Sequence, residues 1–128
     1  MAKSTRNLWP DDIGISSLRA PVTILREQAG FLSDKTLHIV EGAVRTKTSD
    51  ENKFLHTFYL EAPALDRYRF YLFSIEHDTN FYPLNILSEE GQSIVAKSED
   101  DFTTQLADLF ASEKTKKVIH ALIAQSQT

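Results

Sequence analysis

Two stretches of the chain are dominated by apolar side chains. Residues 54–60 (Phe-Leu-His-Thr-Phe-Tyr-Leu) and 68–75 (Tyr-Arg-Phe-Tyr-Leu-Phe-Ser-Ile) are rich in the aromatic and aliphatic side chains that fit a pleated surface. The segment between them carries Pro63, which cannot donate to a strand ladder and favours a bend. The pattern predicts two neighbouring antiparallel strands. In the first, Phe54, Phe58 and Leu60 alternate with Leu55 and Tyr59; in the second, Phe70 and Leu72 alternate with Tyr71, Phe73 and Ile75. A strand solvated on one side alternates more cleanly than this. The pair is therefore read as the centre of a sheet, with both faces covered or with one face kept for a ligand or a partner.

The flanking patterns supply the other elements. Pro21 suits a first helical position, and Val22, Leu25, Ala29 and Leu32 repeat at three-to-four spacing, which predicts a helix over 21–33 with Gly30 permitting close packing on the sheet. Residues 36–48 read as a strand, His38, Val40, Gly42, Val44 and Thr46 on one face, with Gly42 marking a bulge or a close approach. The polar run 48–52 is a turn. Residues 84–87 and 93–97 read as short fourth and fifth strands. Ser98 is placed to cap a helix with Asp101 reaching back, and Phe102, Leu106, Leu109 and Phe110 form its stripe. Ser112 and Glu113 open a last helix to about residue 124, buried through Val118, Ile119, Leu122 and Ile123. The expected fold is α+β: an antiparallel sheet of four to five strands, one N-terminal helix and two C-terminal helices. Residues 1–128 form a single domain in which 1–19 is a mostly irregular arm. That arm is expected to lie on the domain surface through Trp9, Ile13 and Ile15, or to offer Trp9 to a partner, since tryptophan is enriched at interfaces.

Composition narrows the functional classes. A chain of 128 residues supports one hydrophobic core and is short for two ordinary domains. Its 14 basic and 18 acidic residues give a net charge of -4, which offers no global attraction to nucleic acid or an anionic membrane. With no cysteine, disulfides, thiolate nucleophiles and cysteine metal sites are excluded. No run approaches the roughly 20 apolar residues that span a bilayer, and no export signal is visible, so a cytoplasmic protein without membrane contact is the expectation.

Candidate chemistry is sparse. The four histidines, His38, His56, His77 and His120, form no His-Glu-x-x-His pattern; His38 and His56 are expected to face one another across adjacent strands. Catalysis would draw on His56 or His77 with Glu61 or Glu76, a base and a carboxylate gathered near strand ends. Glu41 is expected to pair with Arg69 on a neighbouring strand as ordinary support. Neither a nucleophile elbow nor a glycine-rich phosphate loop is present, and neither a cofactor nor a metal is expected. Tyr59, Tyr68, Tyr71 and Phe73 could stack bases with Arg45, Lys47, Arg67 and Arg69 on phosphates, a reading that the acidic balance opposes. The leading expectation is a noncatalytic protein that binds another protein, itself in particular, through a partly apolar sheet surface. Trp9, Tyr59, Tyr71 and Phe73 are its contact candidates. The alternative is a small-molecule-binding protein or small enzyme with a sheet-lined aromatic pocket.

Overall fold

The computed structural model describes residues 5–14 and 16–128. Helix α1 (Pro21–Lys35) opens on Pro21, whose missing N–H falls where a helix has no internal partner for it, and buries Ile24, Leu25 and Ala29. Thr36 ends the helix: its hydroxyl accepts the Val40 N–H at 3.1 Å and lies 2.7 Å from the Val40 carbonyl. Leu37 and His38 follow with φ of 54° and 64°, a left-handed pair that reverses the chain. The strand expected from residue 36 therefore starts only at Glu41. His38 sits exposed in the reversal and does not face His56.

Five strands form one antiparallel sheet in sequence order: β1 (Glu41–Thr48), β2 (Phe54–Ala62), β3 (Tyr68–His77), β4 (Leu84–Ser88) and β5 (Ser93–Ala96). Val44 lies opposite Phe58, Phe58 opposite Phe73, Ile75 opposite Ile86, and Ile86 opposite Ile94. Between β2 and β3 the register slips: Phe58 faces Phe73 but Tyr59 faces Tyr71, leaving Leu72 as the extra residue of a bulge. One extra residue shifts the side-chain alternation by one. Tyr71 and Phe73, expected on the same face, consequently point to opposite sides.

The two C-terminal helices are α2 (Glu99–Phe110) and α3 (Glu113–Ser126). The Asp101 N–H donates to Ser98 Oγ at 3.1 Å, while the Asp101 carboxylate accepts from Lys97 N at 3.0 Å. This is the expected cap with its return bond moved back by one residue. Ser112 caps α3 through the Thr115 N–H, and the buried Thr115 hydroxyl donates to the Leu109 carbonyl at 2.9 Å, fastening the corner between the helices.

All three helices lie on one side of the sheet. A Cβ placed on Gly42 would stand 2.6 Å from the Cα of Ala29 in α1, and the ring of Phe110 in α2 packs on Phe58 and Phe73 at 5.6 and 6.0 Å between centroids. The close approach expected at Gly42 is present, whereas the one expected of Gly30 is not, since a Cβ on Gly30 would meet nothing within 4 Å. The core fills the space between, with Leu25, Phe58, Phe73, Ile75, Ile86 and Phe102 almost wholly buried. The N-terminal arm does not join it. Trp9 is 72% exposed and Leu8, Ile13 and Leu18 are also open to solvent, which corrects the expected packing of the arm; Ile15 lies outside the described residues. Arg19 pairs with Glu27 and ties the end of the arm to α1. Among the described residues, no helix is long and apolar enough to cross a membrane.

Candidate functional site

The side of the sheet away from the helices is built from alternate positions. Leu55, Thr57, Tyr59 and Glu61 of β2 share it with Tyr71, Ser74 and Glu76 of β3 and with Leu87 of β4, as the register requires. Its centre is polar but internally satisfied: the hydroxyls of Thr57 and Ser74 are 2.9 Å apart, and the Tyr71 hydroxyl donates to Ser74 Oγ at 3.1 Å. Both small side chains are shielded by their neighbours, at 8% and 5% exposure. The Tyr59 and Tyr71 rings meet edge to face with centroids 6.2 Å apart. Arg69 donates through Nε to Glu61 at 2.8 Å while its guanidinium lies 4.9 Å from the Tyr59 ring centre. The expected Glu41–Arg69 pair is thus replaced by Glu61–Arg69, because the register sets Glu61 directly opposite Arg69 and places Glu41 one strand further away. At the margins of this face, Arg45, Lys47, Glu41 and Glu76 have no ion-pair partner among the described residues.

The two catalytic histidine candidates lie on the other face, and they meet. His56 Nε2 is 3.1 Å from His77 Nε2, an approach created by strand pairing between residues 21 apart in sequence. The hydrogen-bond roles follow from the two ends of this chain of polar groups. His77 Nδ1 is 2.6 Å from the Asp78 carbonyl, which only accepts, so Nδ1 carries the hydrogen and Nε2 presents its lone pair. His56 Nε2 then donates to it, and His56 Nδ1 accepts from the Thr46 hydroxyl at 2.8 Å. Phe54 stacks against both rings and Phe81 meets His77 edge on. Burial, reinforced by the neighbouring His77 and Arg26, pushes the His56 imidazole down to about 4. Glu61 and Glu76 point to the opposite side of the sheet, so the expected meeting of a histidine with a carboxylate does not occur. Among the described residues, no three histidine or acidic side chains gather in a form that would hold a metal ion.

The contact candidates separate in the same way. Tyr59 and Tyr71 are on the uncovered face, partly exposed, and Trp9 stands free on the arm. Phe73 has 0% exposure beneath Phe110 and is a core residue, a correction that follows from the bulge at Leu72. The base-stacking quartet is divided too, because Tyr68 and Phe73 lie on the helix side of β3 and Tyr71 on the other. Leu55, Leu87 and the Thr57–Ser74 pair belong to the uncovered face and were not singled out from sequence. The small polar residues were the available signal: a Thr and a Ser within aromatic strands mark positions that do not face the helices.

The sheet does line a concavity, of about 600 Å³, between α1 and α3. Its floor is Phe58, Leu60 and Leu72, and none of His56, His77, Glu61 or Glu76 borders it. No protein-family model, curated protein or solved structure matches the chain.

Proposed function

We propose that this is a noncatalytic binding protein that associates with a second copy of itself through the uncovered face of the sheet. The observation that carries the reading is the one-sided placement of all three helices, which leaves Leu55, Tyr59, Tyr71 and Leu87 without a covering layer. A two-fold contact needs a patch complementary to itself. This face has an aromatic and aliphatic centre and margins with unpaired charges of both signs, Arg45 and Lys47 against Glu41 and Glu76. The Thr57, Ser74 and Tyr71 hydroxyls already bond to one another, so excluding water from them would leave none of the three without a partner. Tyrosine also suits such a role, an apolar ring with a polar tip.

Sedimentation analysis from low to high micromolar concentration tests the reading. The wild-type chain should pass from monomer to dimer. Leu55→Glu and Tyr59→Glu should each weaken the dimer by roughly 30-fold, the effect of losing an interaction worth about 2 kcal/mol, with circular dichroism unchanged. A wild-type chain that remains monomeric throughout would overturn the proposal.

A further inference from the structure

On the opposite side of the sheet, we infer that the concavity between α1 and α3 is a binding site for an anionic amphiphile: one negatively charged head group on one long alkyl chain.

The space follows from how its walls are held. Close approach at Gly42 seats α1 over β1, and the α2–α3 corner is anchored by Phe110 on Phe58 and Phe73 and by the Thr115 hydroxyl on Leu109. Between those anchors the floor of Phe58, Leu60 and Leu72 is left with a groove of about 600 Å³ above it. That size falls within the ~300–1,000 Å³ of small-molecule sites. Leu32 of α1 and Ile119 and Ile123 of α3 line the groove above that floor, so an alkyl tail would meet mainly hydrocarbon there, with Gln28, Thr36 and Thr115 as polar lining.

Charge fixes the head group. Lys35 lines the α1 wall, and Lys116 and His120 line the α3 wall, while no aspartate or glutamate borders the groove. In a chain with 18 acidic and 14 basic residues this local bias is opposite to the net charge of -4. Lys116 is shared with Glu113 at 3.0 Å, whereas Lys35 has no ion-pair partner among the described residues and is the cation available to a ligand. An anionic head at Lys35, with a tail over Leu60 and Leu72, uses both the charged and the apolar parts of the lining. A cationic amphiphile would use only the apolar half.

The test is calorimetric titration of the full chain with dodecanoate, dodecyl phosphate, dodecanol and dodecyltrimethylammonium, each below its micellar concentration. Saturable binding of one anion per chain is expected, with dodecanoate and dodecyl phosphate distinguishing a carboxylate from a phosphate preference. The trimethylammonium compound should bind at least about tenfold more weakly. Shortening the carboxylate should cost about fourfold per methylene, the equivalent of ~0.8 kcal/mol for each buried CH₂. Lys35→Glu combined with Lys116→Glu should remove the preference for anions, and Leu55→Glu, on the other face, should leave binding intact. Absence of saturable binding, indifference to head-group charge or chain length, or a preference unchanged in the lysine variants would overturn the inference. So would binding seen only after Trp9→Ala, which would assign the groove to the protein's own arm.

Discussion

Replacing Gly42 by alanine tests how closely α1 is seated on the sheet. The new methyl would lie 2.6 Å from Ala29 Cα, 2.7 Å from Ala29 Cβ and 3.1 Å from Phe58 Cζ. Carbon atoms settle at about 3.5–4.0 Å, so α1 must retreat by roughly 1 Å, because a backbone atom cannot rotate aside. A gap of that size forfeits about a quarter to a half of each dispersion interaction it opens, and those at risk involve Ile24, Leu25 and Ala29, the buried face of the helix. Overpacking of this kind costs about 1–3 kcal/mol. Strand preference alone points the other way, since glycine to alanine in an element interior gains roughly 0.5–1 kcal/mol. The sign of the effect therefore decides between local propensity and packing. Net of that gain roughly 0.5–2 kcal/mol remains, so at roughly 4 °C per kcal/mol for a chain of this length thermal unfolding should fall by about 2–8 °C. Adding Ala29→Gly should recover only part of the loss, because it removes the opposing methyl and leaves the nearer obstacle, the helix backbone itself. A melting temperature within about 1 °C of wild type, or higher, would refute the reasoning.

The buried imidazole pair should make stability depend on acid. Folded His56 titrates at about 4 against 6.5 in the unfolded chain, so the unfolded state binds the extra proton between those values. The contribution is fully present above pH ~6.5 and declines towards pH ~4, with a loss of order 2 kcal/mol by pH ~5. Urea unfolding of the wild type and His56→Gln between pH ~7 and ~5 should show their stabilities converging, and a constant difference would contradict the assignment. At Leu37, 82% exposed with φ of 54°, the left-handed conformation penalises a leucine without any burial in return. Leu37→Asn should raise the melting temperature by a few degrees and Leu37→Val should lower it; the reverse order would count against the turn geometry.

The architecture was legible where one signal dominated. Residues 54–60 and 68–75 had the composition of central strands, and Ser98 with its acidic followers announced α2. Legibility failed where a pattern ran past the event that ended it. Alternation continued from His38 through Val40 into β1, so nothing marked the left-handed reversal at Leu37 and His38, neither of them an ordinary turn residue. In β3, Phe70, Tyr71, Leu72 and Phe73 are all apolar, and a run without polar markers hides a bulge. That one-residue slip moved Phe73 from the expected binding surface into the core. An uncovered face was one of two alternatives, because two apolar faces exceed what a single helical layer needs. The meeting of His56 with His77 depended on register, which side-chain pattern does not specify when both faces of each strand are largely apolar.

The exposed arm also determines what light can report about this molecule. Its only indole, on Trp9, is already largely hydrated in the folded chain, so melting the core changes little around it. Tryptophan emission should therefore stay nearly flat through an unfolding transition that peptide absorbance follows clearly. The same insensitivity gives a dark background: a blue shift on raising concentration or adding a binding partner would mark capture of the arm, with no contribution from the fold itself.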